Sequence, residues 1–261
     1  MKFKLWIISL FAVAALSMAG CKSTNGSVEG EEASTEEASE AMEPSDEESE
    51  SAQSDPGPSG PKNPTAAMLA KYKENPDLKV ATFAGGCFWC MEPPFEGKDG
   101  VREVVSGYAG GEEENPTYKQ VAGGQTTHTE TVQVVYDPSK ITYAELLRIF
   151  WQQIDPTQVD GQFVDIGAQY RTAIFYHDDE QKKLAEQSKQ LLAEKGPVDE
   201  QIVTEIEPLE RFWVAEEYHQ DFYKKSTKRY KGYRNGSGRD QFIAKYWGDG
   251  GAEEVFAGLG E

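Results

Sequence analysis

The chain has 261 residues and a formal net charge of −19, and 38% of its residues are hydrophobic. That length allows a sizeable hydrophobic core, so a folded domain is expected. No basic stripe appears in this acidic sequence, and nucleic acid is therefore not predicted as a partner, since phosphate binding needs clustered Lys and Arg. Three cysteines and three histidines offer few metal ligands, and neither a metal nor another cofactor is predicted.

The first predicted element is an export signal over residues 1–20. Two lysines lie among the first four residues, Leu5–Leu16 is almost wholly apolar, and Ser17–Cys21 ends in Ala-Gly-Cys. A charged start, a short apolar run and small residues at the end are typical of a signal peptide, and the run is too short to cross a bilayer. The ending resembles a bacterial lipobox, which implies lipidation of Cys21, with an ordinary secretory signal as the alternative.

Residues 21–63 are predicted to be a lipidated cysteine followed by an unstructured acidic linker. Beyond Cys21 the segment is mainly Glu, Ser, Ala, Gly and Pro, and it holds twelve acidic residues against two lysines. Low hydrophobicity and charge repulsion leave no interaction to offset the entropy of ordering. We expect a tether that holds an exported domain at the extracytoplasmic face of a bacterial membrane. Binding of a basic partner is the less favoured alternative.

Residues 64–261 are predicted to form one α+β domain, a two-layer sandwich with a mixed sheet and packed helices. Alternating apolar residues place the strands, and apolar faces with capping residues place the helices. The predicted strands are Lys79–Ala84, Val101–Tyr108, His128–Tyr136, Tyr170–Tyr176 and Ile202–Ile206. The predicted helices are Thr65–Lys73, Cys87–Phe95, Thr142–Ile154, Asp178–Lys195 and Ala215–Lys225. The Gly-rich stretch from Gly232 is expected to wrap the surface.

Two thiols lie at the predicted junction between the first strand and the helix that follows it. Val80–Ala84 is succeeded by Gly85-Gly86 and then by Cys87-Phe88-Trp89-Cys90. Unpaired backbone N–H groups and the helix dipole stabilise a thiolate in a first helical turn, so Cys87 is expected to be the more acidic, nucleophilic thiol. Cys90 lies one turn further on, at a Cα separation of roughly 5–5.5 Å that suits a disulfide. We expect it to be the resolving thiol.

A carboxyl group is predicted to lie on the core side of the strand His128–Tyr136. The even-numbered positions of this strand share one face, and the later ones are apolar, so Glu130 points toward the core. Burial raises the pKa of a carboxyl group, which makes Glu130 a candidate proton donor near neutral pH. The alternative is a structural ion pair with an arginine such as Arg171.

Five sequence blocks occur in a specific order along the chain. They are Gly86–Trp89, Asn115–Tyr118, His128–Glu130, Gln158–Gln162 and Asp165–Arg171. In order and spacing they resemble the peptide-methionine (S)-S-oxide reductase family, over about Val80 to Trp247, and the late Gly238–Asp240 is also similar to it. The pair Cys87 and Cys90 resembles the form of the family that carries Gly-Cys-Phe-Trp-Cys. No cysteine follows Cys90, so Cys90 is expected to resolve directly.

The resemblance implies an enzyme that reduces the S-epimer of methionine sulfoxide, free or in oxidised proteins, to methionine. Cys87 would attack the sulfur, Glu130 would protonate the departing oxygen, and the resulting sulfenic acid would condense with Cys90. A thioredoxin-like dithiol would then reduce the disulfide. The implied substrate-binding residues are Phe88 and Trp89 as an aromatic wall for the S-methyl group, Tyr118 and Tyr170 as hydroxyl donors to the oxygen, and Asp165 on the polar side.

Two other function classes fit parts of the sequence. A thioredoxin-like disulfide oxidoreductase also carries Cys-x-x-Cys at a strand-to-helix junction, but it would leave Glu130 and the tyrosines unexplained. A zinc-binding module would need two further ligands, and the chain has only His128, His177 and His219 without a second Cys-x-x-Cys. The predicted partners therefore remain oxidised proteins and methionine sulfoxide, a thioredoxin-like reductant, and a membrane reached through the lipid anchor.

Overall fold

The structure is a computed structural model that describes residues 64–248 and 250–260. The signal peptide, the lipidation site Cys21 and the acidic linker are predictions that lie outside the described residues. Among the described residues, no helix combines the length and the apolar character that are needed to cross a bilayer.

The secondary structure alternates between strands and helices along the described part of the chain. The strands are β1 (Lys79–Gly85), β2 (Val101–Ala109), β3 (Thr129–Tyr136), β4 (Gly161–Gln162), β5 (Asp165–Ile166), β6 (Thr172–Tyr176), β7 (Glu205–Pro208) and β8 (Phe212–Val214). The helices are α1 (Pro64–Lys73), α2 (Phe88–Phe95), α3 (Tyr118–Ala122), α4 (Tyr143–Gln153), α5 (Asp179–Lys195), α6 (Phe222–Lys225), α7 (Thr227–Gly236), α8 (Arg239–Tyr246) and α9 (Gly251–Val255). Ala168–Tyr170 form a 3₁₀ turn.

Six of these strands form one mixed sheet in the order β7-β6-β1-β3-β2-β8. All neighbours in the sheet are antiparallel except β6 and β7, which are parallel. Strands β4 and β5 pair separately as a short antiparallel hairpin. The sheet with its packed helices confirms the predicted α+β class.

Strand β3 lies near the middle of the sheet, and every one of its residues is buried. Its even-numbered side chains Val132, Val134 and Tyr136 enter the main core, where α2, α4 and α5 pack. Burying a side chain of this size contributes roughly 1.5–3 kcal/mol to the stability of the folded state. Because the main core lies on this face of the sheet, its burial is a large part of what stabilises the fold. Glu130 belongs to the same even series, and β3 therefore places its carboxyl group under α2.

Helix α4 shows how local sequence sets an element of this core. Its N-cap Thr142 accepts a hydrogen bond from the Glu145 backbone N–H at 3.2 Å, and the Glu145 carboxylate accepts the Thr142 N–H at 2.7 Å. This reciprocal capping satisfies two otherwise unpaired donors. The apolar face that follows is buried, as the sequence predicted.

The opposite face of the sheet is covered in part by α1. Leu69 of this helix packs with Val105, Val135 and Val214, which come from β2, β3 and β8. The odd-numbered Val135 and its even-numbered neighbours on β3 point to opposite faces. Consequently α1 and α2 lie on different sides of the sheet.

The predicted helix Ala215–Lys225 is wrong in its extent, because only Phe222–Lys225 is helical. The Gln220 amide instead accepts the Ser106 N–H at 2.9 Å and donates to the Ser106 carbonyl at 2.9 Å. Asp221 adopts a left-handed conformation with φ of 54°. These contacts to β2 hold residues 215–221 in a turn, against the helix preference of the local sequence.

Two further predictions need correction. The stretch from Gly232 does not simply wrap the surface, because its apolar side chains enter the main core, namely Trp247, Ala252, Val255 and Phe256. The strand predicted at Ile202–Ile206 begins later, at Glu205, because Val203 donates its N–H to the Pro156 carbonyl at 2.8 Å, outside the sheet.

Candidate active site

The turn between β1 and α2 carries the two thiols. Gly86 has a φ of 79°, and a Cβ there would lie 2.6 Å from the Cβ of Gln162, so the turn requires glycine. Cys87 occupies the N-cap of α2, and the Cys90 N–H donates to the Cys87 carbonyl at 3.0 Å. Both thiols are free and buried, with Cys87 7% exposed and Cys90 1% exposed.

Glu130 lies directly beneath the start of α2. Its Oε2 accepts the backbone N–H of Phe88, the first residue of α2, at 2.9 Å. Burial raises the pKa of the Glu130 carboxyl well above its usual range, and the nearby charges of Asp165, Cys90 and Glu216 raise it further. The Phe88 hydrogen bond opposes this shift, but burial is the larger effect and favours the neutral, protonated form of Glu130.

An ion pair between Glu130 and Arg171, the structural alternative, does not form. Arg171 instead pairs with Glu205 and with Glu207, the latter at 3.1 Å from Nη1. None of the ion pairs between described residues includes Glu130, so no such pair offsets the effect of burial on its pKa.

The prediction that Cys87 is the more acidic thiol is wrong for the resting pair. Burial raises the pKa of the Cys87 thiol well above its usual value, and the hydrogen bond with Cys90 and the charge of Glu130 act in the same direction. The same hydrogen bond lowers the pKa of Cys90 to about 7, with help from Arg239 and Arg234. Burial is thus the main reason for the high pKa of Cys87, and the backbone N–H of Phe88, the first residue of α2, donates to Glu130.

Two tyrosines lie close to the thiol and the carboxyl group. Burial raises the pKa of Tyr118 and of Tyr170, and the charges of Glu130, Cys87 and Asp165 contribute to the shift of both. Both hydroxyls therefore stay protonated and remain hydrogen-bond donors. Tyr118 opens α3 and Tyr170 ends the 3₁₀ turn, so two separate loops bring these donors together.

Asp165, on β5, lies on the polar side of the site. It accepts a hydrogen bond from the Tyr233 hydroxyl of α7. Burial raises the pKa of Asp165, while the Tyr233 hydrogen bond and the charge of Arg239 oppose that shift. Sequence analysis did not single out Tyr233, because no local pattern ties α7 to the β4–β5 hairpin.

Trp89 is half-buried and is fixed by three contacts. Its Nε1–H donates to His219 Nδ1 at 3.1 Å, its ring stacks on Phe222 at 3.8 Å, and Tyr233 meets it edge-on at 6.1 Å. The Phe88 ring, in contrast, is only 1% exposed and packs behind this surface. Trp89 is therefore the aromatic side chain that the site can present to a small apolar group.

His219 supports Trp89 and Glu216 supports Tyr118, and sequence analysis gave neither residue this role. Burial lowers the pKa of His219 to about 3, so the imidazole is neutral, and its Nδ1 accepts the indole N–H. Glu216 accepts the Tyr108 hydroxyl at 2.7 Å and the Tyr118 N–H at 2.8 Å. Both residues lie in the segment 215–221, which was predicted to be helical. Their side chains form hydrogen bonds with residues that are far away in the sequence.

The described residues contain no group of three or more His, Cys, Asp or Glu side chains that could hold a metal ion. The site instead combines two adjacent thiols, one protonated carboxyl and two hydroxyl donors. This arrangement defines a thiol-based oxidoreductase whose substrate accepts a proton as it is reduced.

Comparisons with known proteins agree with this class. Residues 79–250 match the family described as Peptide methionine sulfoxide reductase. Peptide methionine sulfoxide reductase MsrA of Bacillus subtilis (strain 168) is 56% identical over 170 residues, which are 65% of this chain and 96% of the relative. MsrA of Listeria monocytogenes serovar 1/2a is 54% identical over a stretch of the same length, with the same coverage.

Solved structures give the same result. The reduced form of Mxr1 from Saccharomyces cerevisiae is similar with a TM-score of 0.56 and 37% identity, covering 59% of this chain and 89% of that one. Methionine sulfoxide reductase A of Corynebacterium diphtheriae has a TM-score of 0.53 and 34% identity, covering 59% and 78%. The chain therefore belongs to the peptide methionine sulfoxide reductase family. It is a peptide-methionine (S)-S-oxide reductase, an enzyme of protein repair.

Proposed function

We propose that Cys87 reduces methionine sulfoxide as a nucleophile and that Glu130 is the acid. The Cys87 thiolate attacks the sulfoxide sulfur, the oxygen passes to Cys87 and takes the Glu130 proton, and methionine leaves. The products are a sulfenic acid on Cys87 and an ionised Glu130, so charge and protons balance. The observation that carries this proposal is the buried Glu130 carboxyl group, whose pKa is raised by burial and whose Oε2 lies 2.9 Å from the first amide nitrogen of the helix that bears Cys87.

The thiolate on Cys87 is supplied by its neighbour. The Cys90 thiol, with a pKa of about 7, first loses its proton to solvent. Transfer of the Cys87 proton along the hydrogen bond to the Cys90 thiolate then produces a Cys87 thiolate and a Cys90 thiol. This transfer is uphill in the resting enzyme, and the approach of the polarised sulfoxide sulfur favours it. It also leaves Cys90 protonated, which is the form that the next step consumes.

The remaining side chains of the site bind different groups of the substrate. Tyr118 and Tyr170 donate hydrogen bonds to the sulfoxide oxygen, and Asp165 with Tyr233 orders the polar side. The S-methyl group lies against Trp89, with Phe88 packed behind it. A sulfur–aromatic contact of this kind contributes roughly 0.3–1.5 kcal/mol.

Cys90 then condenses with the sulfenic acid on Cys87 to form a disulfide and water. An external thioredoxin-like dithiol reduces this disulfide and restores both thiols. The predicted signal peptide and lipidated Cys21 would place the enzyme on the extracytoplasmic face of a bacterial membrane, where its substrates are oxidised exported proteins. The dithiol donor must then be local to that compartment.

One experiment tests the reduction and the recycling together. Wild-type protein and the Cys90→Ala variant are incubated with the separated S and R epimers of a methionine sulfoxide peptide, with and without thioredoxin. We expect the S epimer alone to be reduced, continuously by wild type with thioredoxin and about once per Cys90→Ala molecule.

A Cys87→Ser variant is the matched control and should not react at all. Turnover by Cys87→Ser would remove Cys87 from the mechanism. Equal steady-state rates of wild type and Cys90→Ala with thioredoxin would remove the resolving role of Cys90.

A further inference from the structure

The two sulfur atoms differ in how they can be reached. Cys87 lies at the N-cap and is 7% exposed, whereas Cys90 lies one turn inside α2 and is 1% exposed. The Cys90 carbonyl is also covered, because it accepts a hydrogen bond from Arg234 Nη1 at 3.0 Å. Thiol–disulfide exchange depends on access to the attacked sulfur. An incoming thiolate therefore meets Cys87 first.

A buried cation, Arg239, lies behind the thiol pair, and its charge also acts on the nearby Asp165 carboxyl group. Arg239 is 1% exposed, and its Nη2–H donates to the Gly85 carbonyl at 3.0 Å, at the end of β1. Its other terminal nitrogen donates to the Gln153 carbonyl, and its Nε has no hydrogen-bond partner. None of the ion pairs among the described residues includes Arg239.

A charge in a buried site acts more strongly on nearby groups than a charge in water does, because the surroundings screen it less. The Arg239 charge lowers the pKa of Cys90, as does Arg234, whose own charge is partly neutralised by Asp240 at 2.7 Å. Arg239 is not among the main causes of the shift in the pKa of Cys87. The field of this guanidinium thus favours negative charge on the inner sulfur of the pair.

We propose that the recycling dithiol attacks the Cys87 sulfur of the disulfide and that Cys90 is expelled as a thiolate, with Arg239 as the positioning residue that stabilises the expelled sulfur. The proposal rests on the Cys87–Cys90 disulfide of the proposed function. In the first step a bond forms between the donor sulfur and Cys87 while the Cys87–Cys90 bond breaks, and its electron pair stays on Cys90. In the second step the donor's other thiolate attacks its own bridged sulfur and releases Cys87 as a thiolate.

The direction of attack can be read from the trapped intermediate. The full-length protein is oxidised with diamide in one sample and by turnover with methionine sulfoxide in another. Each is mixed with a thioredoxin variant that keeps only its attacking cysteine, blocked with N-ethylmaleimide under acid quench, and digested with trypsin. Both cysteines fall in the fragment Val80–Lys98, where fragment ions assign the bound thioredoxin peptide and the maleimide.

We expect thioredoxin on Cys87 and maleimide on Cys90 in most trapped molecules. Thioredoxin mainly on Cys90, or equally on both cysteines, would overturn the inference. If the diamide sample traps normally but turnover gives no disulfide, the proposed function fails instead, so the two failures are distinguishable.

The role of Arg239 is tested through the charge that it provides. In Arg239→Gln, reduction of the disulfide by dithiothreitol should slow by roughly three- to tenfold, because a more basic thiol leaves more slowly. In a Cys87→Ser background, the 240 nm absorbance of the Cys90 thiolate should titrate at higher pH when Arg239 is also replaced by Gln. Arg239→Lys should restore much of both effects.

Lys245→Gln is the matched control, since it removes a positive charge from the exposed side of the same helix. It should change neither the rate nor the titration. An Arg239→Gln protein with a wild-type thiolate titration would overturn the role of Arg239, and the trapping result on wild type stands as a separate test.

Discussion

At the scale of single residues, the arrangement of Glu130 decides the chemistry. Its carboxyl group is bound to the amide that opens α2, and that amide would otherwise stabilise a thiolate on Cys87. The acid and the nucleophile therefore compete for one donor. In the proposed mechanism Glu130, whose pKa is raised by burial, is the acid, and Cys87 passes its proton to Cys90.

Replacement of Glu130 tests the acid directly. Glu130→Gln keeps the shape and an oxygen that can accept the Phe88 N–H, but it removes the transferable proton. We expect the single-turnover rate of methionine formation to fall by about a hundredfold or more, the usual scale of general acid catalysis. In wild type the rate should decline as pH rises through the raised pKa of Glu130, and this decline should be absent from the variant.

Glu112→Gln, at an exposed glutamate, is the control and should behave like wild type. An unchanged single-turnover rate in Glu130→Gln would mean that the proton comes from another group.

The residue-level predictions from sequence succeeded where they depended on one element and failed where they depended on several. Alternation along β3 was sufficient to place Glu130 on the core face. The relative acidity of Cys87 and Cys90 depends on Glu130, Arg234 and Arg239, which are far away in sequence. A local argument from the helix start could not include these groups, and it therefore gave the wrong order.

At the scale of elements, α2 is the part of the fold on which the site depends. It lies over β2 and β3, carries both thiols, and buries Glu92 on its inner side. Glu92 Oε1 accepts the Ser106 hydroxyl of β2 at 2.9 Å, while its Oε2 is buried without a partner. Helix α2 is thus attached to the sheet by a carboxyl group in an apolar environment.

That attachment predicts a pH-dependent stability. Burial raises the pKa of Glu92 from its usual 4.5 to about 8. Between these values the folded state holds a proton that the unfolded state has lost, so the free energy of unfolding falls as pH rises, by up to about 1.4 kcal/mol per pH unit. Glu92→Gln should lose less stability between pH 5 and pH 8 than wild type in urea unfolding measured at several pH values.

The exposed Glu186 of α5 supplies the control substitution Glu186→Gln, which should leave the pH profile as it is in wild type. Parallel profiles of wild type and Glu92→Gln would show that Glu92 does not titrate in this range.

Elements with their own periodicity and caps, such as α4, were predicted from sequence nearly to the residue. Elements that depend on distant contacts were not. Residues 215–221 have a helical composition, yet Glu216 and Gln220 bond to β2 and α3 and hold a turn. The sequence around Gly232 did not predict helix α7. In the structure Tyr233 donates a hydrogen bond to Asp165, and Arg234 donates one to the Cys90 carbonyl, and these distant contacts hold the helix in place.

At the scale of the whole molecule, the described part of the chain begins with α1, whose Leu69 packs on the face of the sheet opposite to α2. The proposed lipid anchor and acidic tether precede this helix in the sequence. Chemistry at Cys87 and attachment at Cys21 are therefore expected to be separable properties of the protein.

The separation can be measured with two cysteine substitutions in the full-length protein. Cys21→Ser should move the protein from the membrane fraction to the soluble exported fraction, with a specific activity near that of wild type. Cys87→Ser is the matched control and should stay with the membrane while losing activity. Retention of Cys21→Ser at the membrane would mean that lipidation of this residue is not what holds it there.

The position of α1 also has a practical consequence. A bead, a fluorophore or a fused protein can be joined ahead of Pro64, at the start of α1. Helix α1 packs on the face of the sheet opposite to the one that carries Cys87 and Cys90. Material coupled in this orientation should keep its full turnover, and surface-bound reactors built from this domain are best grafted through that end.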